Sequence, residues 1–183
     1  MSNWKDRPAP IAAGDIAAVH EKDVVVVGLG YAGTAAARAA AEAGASVAGL
    51  EMASLARFMP FGRDIGHINS RFLESRGVPR VDPIDLYNEM MRRAGGRANS
   101  ALVMQFAQNS GSAFDWFTDM YGVEGLKDVH VAFWPEGGEK FKAHPGEDYN
   151  GYHFWNGTAQ FPDPRGWPGG PTLPRVVIAN LQT

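Results

Sequence analysis

The run Asp23-Val24-Val25-Val26-Val27-Gly28-Leu29-Gly30-Tyr31-Ala32-Gly33 constrains this chain more than any other segment. Four valines in succession favour a strand, and apolar residues at every position predict one buried on both faces, as in a parallel sheet. Gly28 permits a sharp turn out of that strand. Gly30 lets the backbone approach a pyrophosphate with no Cβ in the way, and Gly33 lets the next helix pack closely on the strand. That helix, Thr34 to Ala43, is nearly all alanine, and Gly44 marks its end. Its N-terminus points N–H groups and a partial positive charge at the phosphate position. A second strand, Ala45 to Leu50, runs into Glu51. An acid about 20 residues beyond the glycines accepts hydrogen bonds from the adenosine ribose of a dinucleotide. Strand, glycines, helix end and acid stand in register, so an α/β chain built on a dinucleotide-binding βαβ unit is expected. The unit alone does not choose between nicotinamide and flavin dinucleotides.

With 183 residues, 45% of them hydrophobic, the chain is long enough for one sizeable core. A net charge of -3 and the lack of a dense Lys/Arg block exclude a nucleic-acid footprint. Arg92-Arg93 reads as a solvated helix edge. There are no cysteines, which excludes disulfides and thiolate sites. His20, His130, His144 and His153 lack metal-ligand spacing, so no metal is expected. No apolar run approaches the ~18–20 residues that span a bilayer, and Met1 to Ala12 is not a secretory signal. Both a cytoplasmic and an exported location remain open.

Residues 1–22 read as a lead-in and 23–183 as the domain. A loop with a short ordered stretch is expected over 52–82. Asp82-Pro83 should open a helix with Leu86, Met90 and Met91 on its apolar face, ended by Gly95-Gly96. A second helix should start near Asn99 or Ser100, with Leu102, Phe106, Phe114 and Phe117 facing the core and Ser110-Gly111 interrupting it. Seven of the twelve prolines and eight glycines fall between Pro135 and Pro174, interleaved with Tyr149, Tyr152, Phe154, Trp155 and Trp167; Trp134 stands just before them. Large aromatics argue for irregular packed structure there rather than disorder. Asp148 and His153, beside Tyr149 and Tyr152, read as part of a structural aromatic cluster or as the lining of a pocket. The segment after Pro174 fits a helix or a buried strand equally well.

The sequence Gly28-x-Gly30-x-x-Gly33, Glu51, then Gly66-His67-Ile68-Asn69-Ser70 resembles the flavoprotein family of fumarate reductases, succinate dehydrogenase flavoprotein subunits and related bacterial reductases. Asp82 with Leu86 and Met90, Asn99-Ser-Ala-Leu-Val, Ser110 and Asp115-Trp116-Phe117 extend the likeness over most of residues 23–120. The resemblance implies a Rossmann-like FAD-binding domain. Its cofactor-contacting residues would be Gly28, Gly30, Tyr31, Ala32, Gly33, Glu51, Met52, Gly66, His67, Ile68 and Asn69, with the 66–69 stretch running along the FAD to its ring. The chain departs from the family pattern at Arg57-Phe58-Met59-Pro60, where a Gly-Gly pair is usual, and at Met52, where lysine is common. Arg57 or Arg63 would then supply charge to the diphosphate. His67 replaces a glycine and reads either as a donor to the flavin edge or as a loop histidine. The position at which some members tether FAD to a histidine is Pro60 here, so the flavin should be bound non-covalently.

The resemblance also implies hydride transfer between flavin and an activated alkene, with fumarate-like unsaturated acids as the substrate class. The family's substrate-capping domain and proton-donating arginine come after the region resembled, so no catalytic residue is assigned. The FAD-binding domain is expected to be incomplete: either the chain is a fragment, or a second chain completes the fold. Two rival readings are an NAD-dependent dehydrogenase domain, which leaves Gly66 to Ser70 unexplained, and a non-catalytic split subunit serving as an assembly module.

Overall fold

The computed structural model describes residues 5–54, 57–58, 64–132, 158–162 and 172–182. Residues 5–22 of the lead-in are exposed and form one 3-10 turn, Ala13–Asp15. Beyond them β1 (Val24–Val27), α1 (Tyr31–Glu42) and β2 (Val47–Leu50) make the expected βαβ unit. The strands pair in parallel, from Val24 opposite Val47 to Val27 opposite Leu50. At their base, the Asp23 carboxylate accepts from the Ser46 N–H at 2.8 Å and its hydroxyl at 2.7 Å. Gly44, at φ +88°, ends the helix as expected.

The expectation that β1 is buried on both faces is overturned. Val24 and Val26 are half-buried, whereas Val25 and Val27 are 56% and 80% exposed. The strand has one neighbour, and α1 covers one face; the other face, with Leu50 at its end, meets solvent among the described residues.

A second, antiparallel sheet stands apart from the first. Its order is β3 (Asp64–Gly66), β5 (Thr158–Gln160), β4 (His130–Ala132), with Ala159 opposite Ile65 on one side and Val131 on the other. Between β3 and β4 the chain forms α2 (Arg71–Ser75), α3 (Pro83–Arg93), α4 (Ser100–Phe117) and α5 (Gly122–Gly125); α6 (Leu173–Asn180) closes the described chain. Ser70, Asp82 and Asn99 cap α2, α3 and α4 through their side-chain oxygens, which supply acceptors for first-turn N–H groups. Pro174 suits the first turn of α6, so the segment that fitted either element is a helix.

The core gathers where these elements meet: Phe72 and Leu73 from α2, Phe114 and Phe117 from α4, Phe161 after β5, and Val176 and Val177 from α6. Of the apolar stripe expected on α4, Phe114 and Phe117 are buried, but Leu102 is 68% exposed and Phe106 sits at the surface. The expected interruption at Ser110-Gly111 does not occur; α4 runs unbroken through both residues. Arg92 and Arg93 are not a free solvated edge either, because both pair with the buried Glu89 carboxylate. Trp134, His144, Asp148, Tyr149, Tyr152, His153, Phe154, Trp155 and Trp167 lie outside the described residues, as do Met59, Pro60 and Arg63.

Candidate functional site

The glycine turn shows a separate physical reason for each glycine. Gly28 has φ +86°, a left-handed conformation that side chains resist. A Cβ on Gly33 would lie 1.8 Å from the Gly28 carbonyl oxygen, so only glycine lets α1 pack this closely on the end of β1. Gly30 is the N-cap of α1; having no side chain, it makes no side-chain cap, and a Cβ there would point into open space. A helix N-terminus that begins at a glycine with open space beside it suits a diphosphate. Tyr31 is half-buried edge-on to Phe117, and Ala32 is exposed beside it. Thr34, fully buried, donates its hydroxyl to the Leu29 carbonyl at 2.8 Å and holds the turn from inside.

Glu51 closes the unit from the second strand. One carboxylate oxygen accepts from the Leu29 N–H and the other from the Ala53 N–H, both at 2.9 Å. Those N–H groups, Ala53 first, hold its pKa below the ordinary carboxylate value. The side chain is exposed, and each oxygen keeps a second lone pair for an incoming hydroxyl. Met52 follows, fully exposed.

The 66–70 stretch is built from the other sheet. Gly66 ends β3 and is exposed; Ile68 and Asn69 are half-buried; His67 and Ser70 are buried. His67 Nδ1 lies 3.0 Å from the Ile65 carbonyl, which can only accept, so Nδ1 carries the proton. Nε2 therefore accepts from the Ser70 hydroxyl at 2.8 Å, while Ser70 Oγ accepts from the Leu73 N–H. The ring stacks on Phe114 with centroids 3.9 Å apart and planes 6° from parallel. Burial pulls its pKa down to about 4, against smaller opposing effects of the Ile65 carbonyl and Asp115. Of the two readings of His67, the geometry favours the loop histidine, because both ring nitrogens are occupied within its own loop. Asn69 adopts φ +60° and clasps Val81, donating to its carbonyl and accepting from its N–H, each at 2.8 Å.

A cleft of about 510 Å³ joins the two halves of the site, lined by Tyr31 and Ala32 of the glycine turn, Asp64 to Gly66 of β3, and Phe106, Ser110 and Phe114 of α4. Arg57, one of the two candidate diphosphate cations, is exposed on the turn after Ser54.

A family model described as the FAD binding domain matches residues 23–183. The chain belongs to this family, the FAD-binding domains of the fumarate reductase and succinate dehydrogenase flavoproteins. FAD is its cofactor. The glycine N-cap of α1, the open space beside Gly30 and the ionised Glu51 fit that group. Among solved structures, a 3-ketosteroid-delta4-(5alpha)-dehydrogenase from Rhodococcus jostii RHA1, in complex with 4-androstene-3,17-dione, is 28% identical with a TM-score of 0.47. The match covers 60% of this chain and 23% of that one. No curated protein matches.

Sequence reasoning missed Arg38. It sits in the alanine-rich α1 yet is buried, bonded to Glu42, both carboxylate oxygens of Asp119, the Trp116 carbonyl and Asn180. Its guanidinium also lies 4.4 Å from the Trp116 ring centroid. It ties the dinucleotide helix to α4 and α6. A charge set among seven alanines between Thr34 and Ala43 was the available signal.

Proposed function

We propose that this chain is the FAD-binding portion of a flavin-dependent oxidoreductase, with the βαβ unit serving as a Rossmann-like cradle. Glu51 accepts from the adenosine ribose hydroxyls. The Gly28–Gly33 turn, with the Tyr31 and Ala32 backbone and with Met52 alongside, holds the diphosphate region. Gly66, His67, Ile68 and Asn69 run along the flavin end, His67 contributing through its backbone. FAD, when bound, supplies hydride transfer to or from an activated alkene of a small organic substrate, and unsaturated acids of the fumarate kind are the class the family resemblance implies. The chain's own residues bind and orient the cofactor, and no residue here is assigned as the proton donor. Binding is non-covalent. Further polypeptide, from the same chain or another, covers the open face of Val25, Val27 and Leu50 and supplies the acid.

The observation that carries this reading is the Glu51 carboxylate bonded to the N–H of Leu29, within the glycine turn itself. One side chain thereby links the two strands' ends, and on this reading the ribose sits against it. The test is titration of the chain with FAD, followed by flavin fluorescence. Glu51→Ala should weaken binding by about ten- to a hundredfold, the range for loss of a hydrogen bond to a charged group. Equal affinity in wild type and variant would overturn the assignment. Acid denaturation of the FAD-loaded protein should release all the flavin into the supernatant; yellow precipitate would overturn the non-covalent reading.

A further inference from the structure

Helix α4 meets the 66–71 stretch at four successive points. Ser110 Oγ accepts from the Ile68 N–H at 3.2 Å, and Phe114 stacks on the His67 ring. Asp115 accepts from the Arg71 N–H at 3.0 Å. Between them lies Gly111, buried, where a Cβ would stand 2.2 Å from the Ile68 carbonyl oxygen and 2.8 and 2.9 Å from the Asn69 carbonyl carbon and oxygen. These are backbone atoms that cannot swing aside. The helix therefore rests directly on the loop's main chain, at a residue type disfavoured in helix interiors. The far side of the loop is fixed as well, by the Asn69 clasp on Val81. Ser110 also lines the cleft that Tyr31, Ala32 and Gly66 share.

We propose that Ser110 and Gly111 are positioning residues that set where the Gly66–Asn69 backbone stands against the FAD. The inference rests on the reading of that stretch given under Proposed function. A methyl group at position 111 would have to move the Ile68 and Asn69 carbonyls away by about an ångström to restore ordinary contact, since backbone yields little when packed on both sides. Removing the Ser110 hydroxyl would free the Ile68 N–H without adding bulk, a milder change of the same kind.

The experiment measures FAD dissociation constants and the long-wavelength absorption band of bound flavin for wild type, Gly111→Ala, Ser110→Ala and Leu126→Ala. Leu126 is buried in the core, makes none of the four contacts named above, and controls for lost stability. Amide hydrogen exchange at Ile68 and Asn69 in the flavin-free chain gives a second readout. Gly111→Ala should weaken FAD about tenfold and Ser110→Ala about threefold, roughly one decade and half a decade in the binding constant respectively. Both should shift the flavin band and speed exchange at Ile68. Leu126→Ala should lower the unfolding midpoint and leave the band in place. Should Gly111→Ala fail to fold, Ser110→Ala alone carries the comparison. Wild-type affinity and spectrum in the Ser110 and Gly111 variants would overturn the inference while leaving the cofactor reading intact, and so would the same band shift in Leu126→Ala. A wild-type chain with no affinity for FAD would overturn both.

Discussion

His67 should make the stability of this protein fall on mild acidification. The ring is neutral in the fold, with Nδ1–H donating to Ile65 and Nε2 accepting from Ser70. A proton on Nε2 would oppose the Ser70 hydroxyl proton, in a site where burial already disfavours charge. Asp115 on α4 is the charged group that acts on the ring, and it offsets only part of that penalty. The folded pKa is about 4, against 6.5 for the ordinary imidazole. Between those values the unfolded chain binds a proton that the folded chain refuses. Stability is thus full above pH 6.5 and is lost as pH falls towards 4. The whole shift corresponds to roughly 3 kcal/mol, of which about 2 kcal/mol is gone by pH 5. Asp23, Glu51 and Glu89, all held below the ordinary carboxylate value, act in the same direction at more acid pH, so the window above pH 5 isolates the histidine. Urea unfolding at pH 7, 6 and 5 measures the slope, and His67→Gln should flatten it, because an amide can both donate and accept without titrating. The His67 C2 proton, followed by NMR, should keep its neutral chemical shift down to pH 5. A His67 titration near 6.5, or equal slopes in wild type and His67→Gln, would refute the reasoning.

Gly33→Ala should abolish FAD binding and destabilise the fold by more than about 3 kcal/mol, because its Cβ would collide with the Gly28 carbonyl; binding titration and thermal unfolding check both effects. Arg38→Met should cost about 2 kcal/mol, the range for lost hydrogen bonds to charged groups, since Asp119, Glu42 and Asn180 lose a shared partner. Urea unfolding measures that loss, and an unchanged midpoint would show that the network contributes nothing. Phe114→Ala should cost about 3–5 kcal/mol by opening a cavity beside His67 and Phe72. It should also raise the His67 pKa by letting water reach the ring, which the same NMR titration would detect.

Local signals carried the dinucleotide half of this molecule. Gly28, Gly33 and Gly44 are each required by a backbone constraint that a few neighbouring residues impose, so their spacing could be read directly from the chain. The same holds for the caps at Asp82 and Asn99, whose side chains act on N–H groups two or three residues away. What failed to show were contacts between distant segments. The antiparallel sheet pairs β3 and β4 with a strand that follows much later, and its three-residue strands are too short for any periodicity to register. Arg38 is satisfied by Trp116 on α4, Asp119 just after it and Asn180 on α6, so its burial could not be foreseen from its helix alone.

Gly111 and Val25 show how a correct local signal can be assigned the wrong cause. A glycine inside a helical pattern signals either a break or a close approach, and only the position of the 66–70 loop decides between them. Here the helix continues, and the missing side chain makes room for Ile68 and Asn69. Apolar residues at every position of β1 signal burial on two faces, yet only the face against α1 is covered among the described residues. The inner valines are explained by the packing of α1, while no packing among the described residues accounts for Val25 and Val27. An apolar surface of that kind is costly in water, and a sheet of two strands leaves hydrogen-bonding edges open as well. Residues at those positions would be free to become polar if the face stayed exposed in the working protein. Four valines in a row therefore fit the proposed covering of that face, so polar substitutions at Val25 and Val27 should leave the urea unfolding midpoint of this chain unchanged and should weaken its association with the polypeptide proposed to cover it.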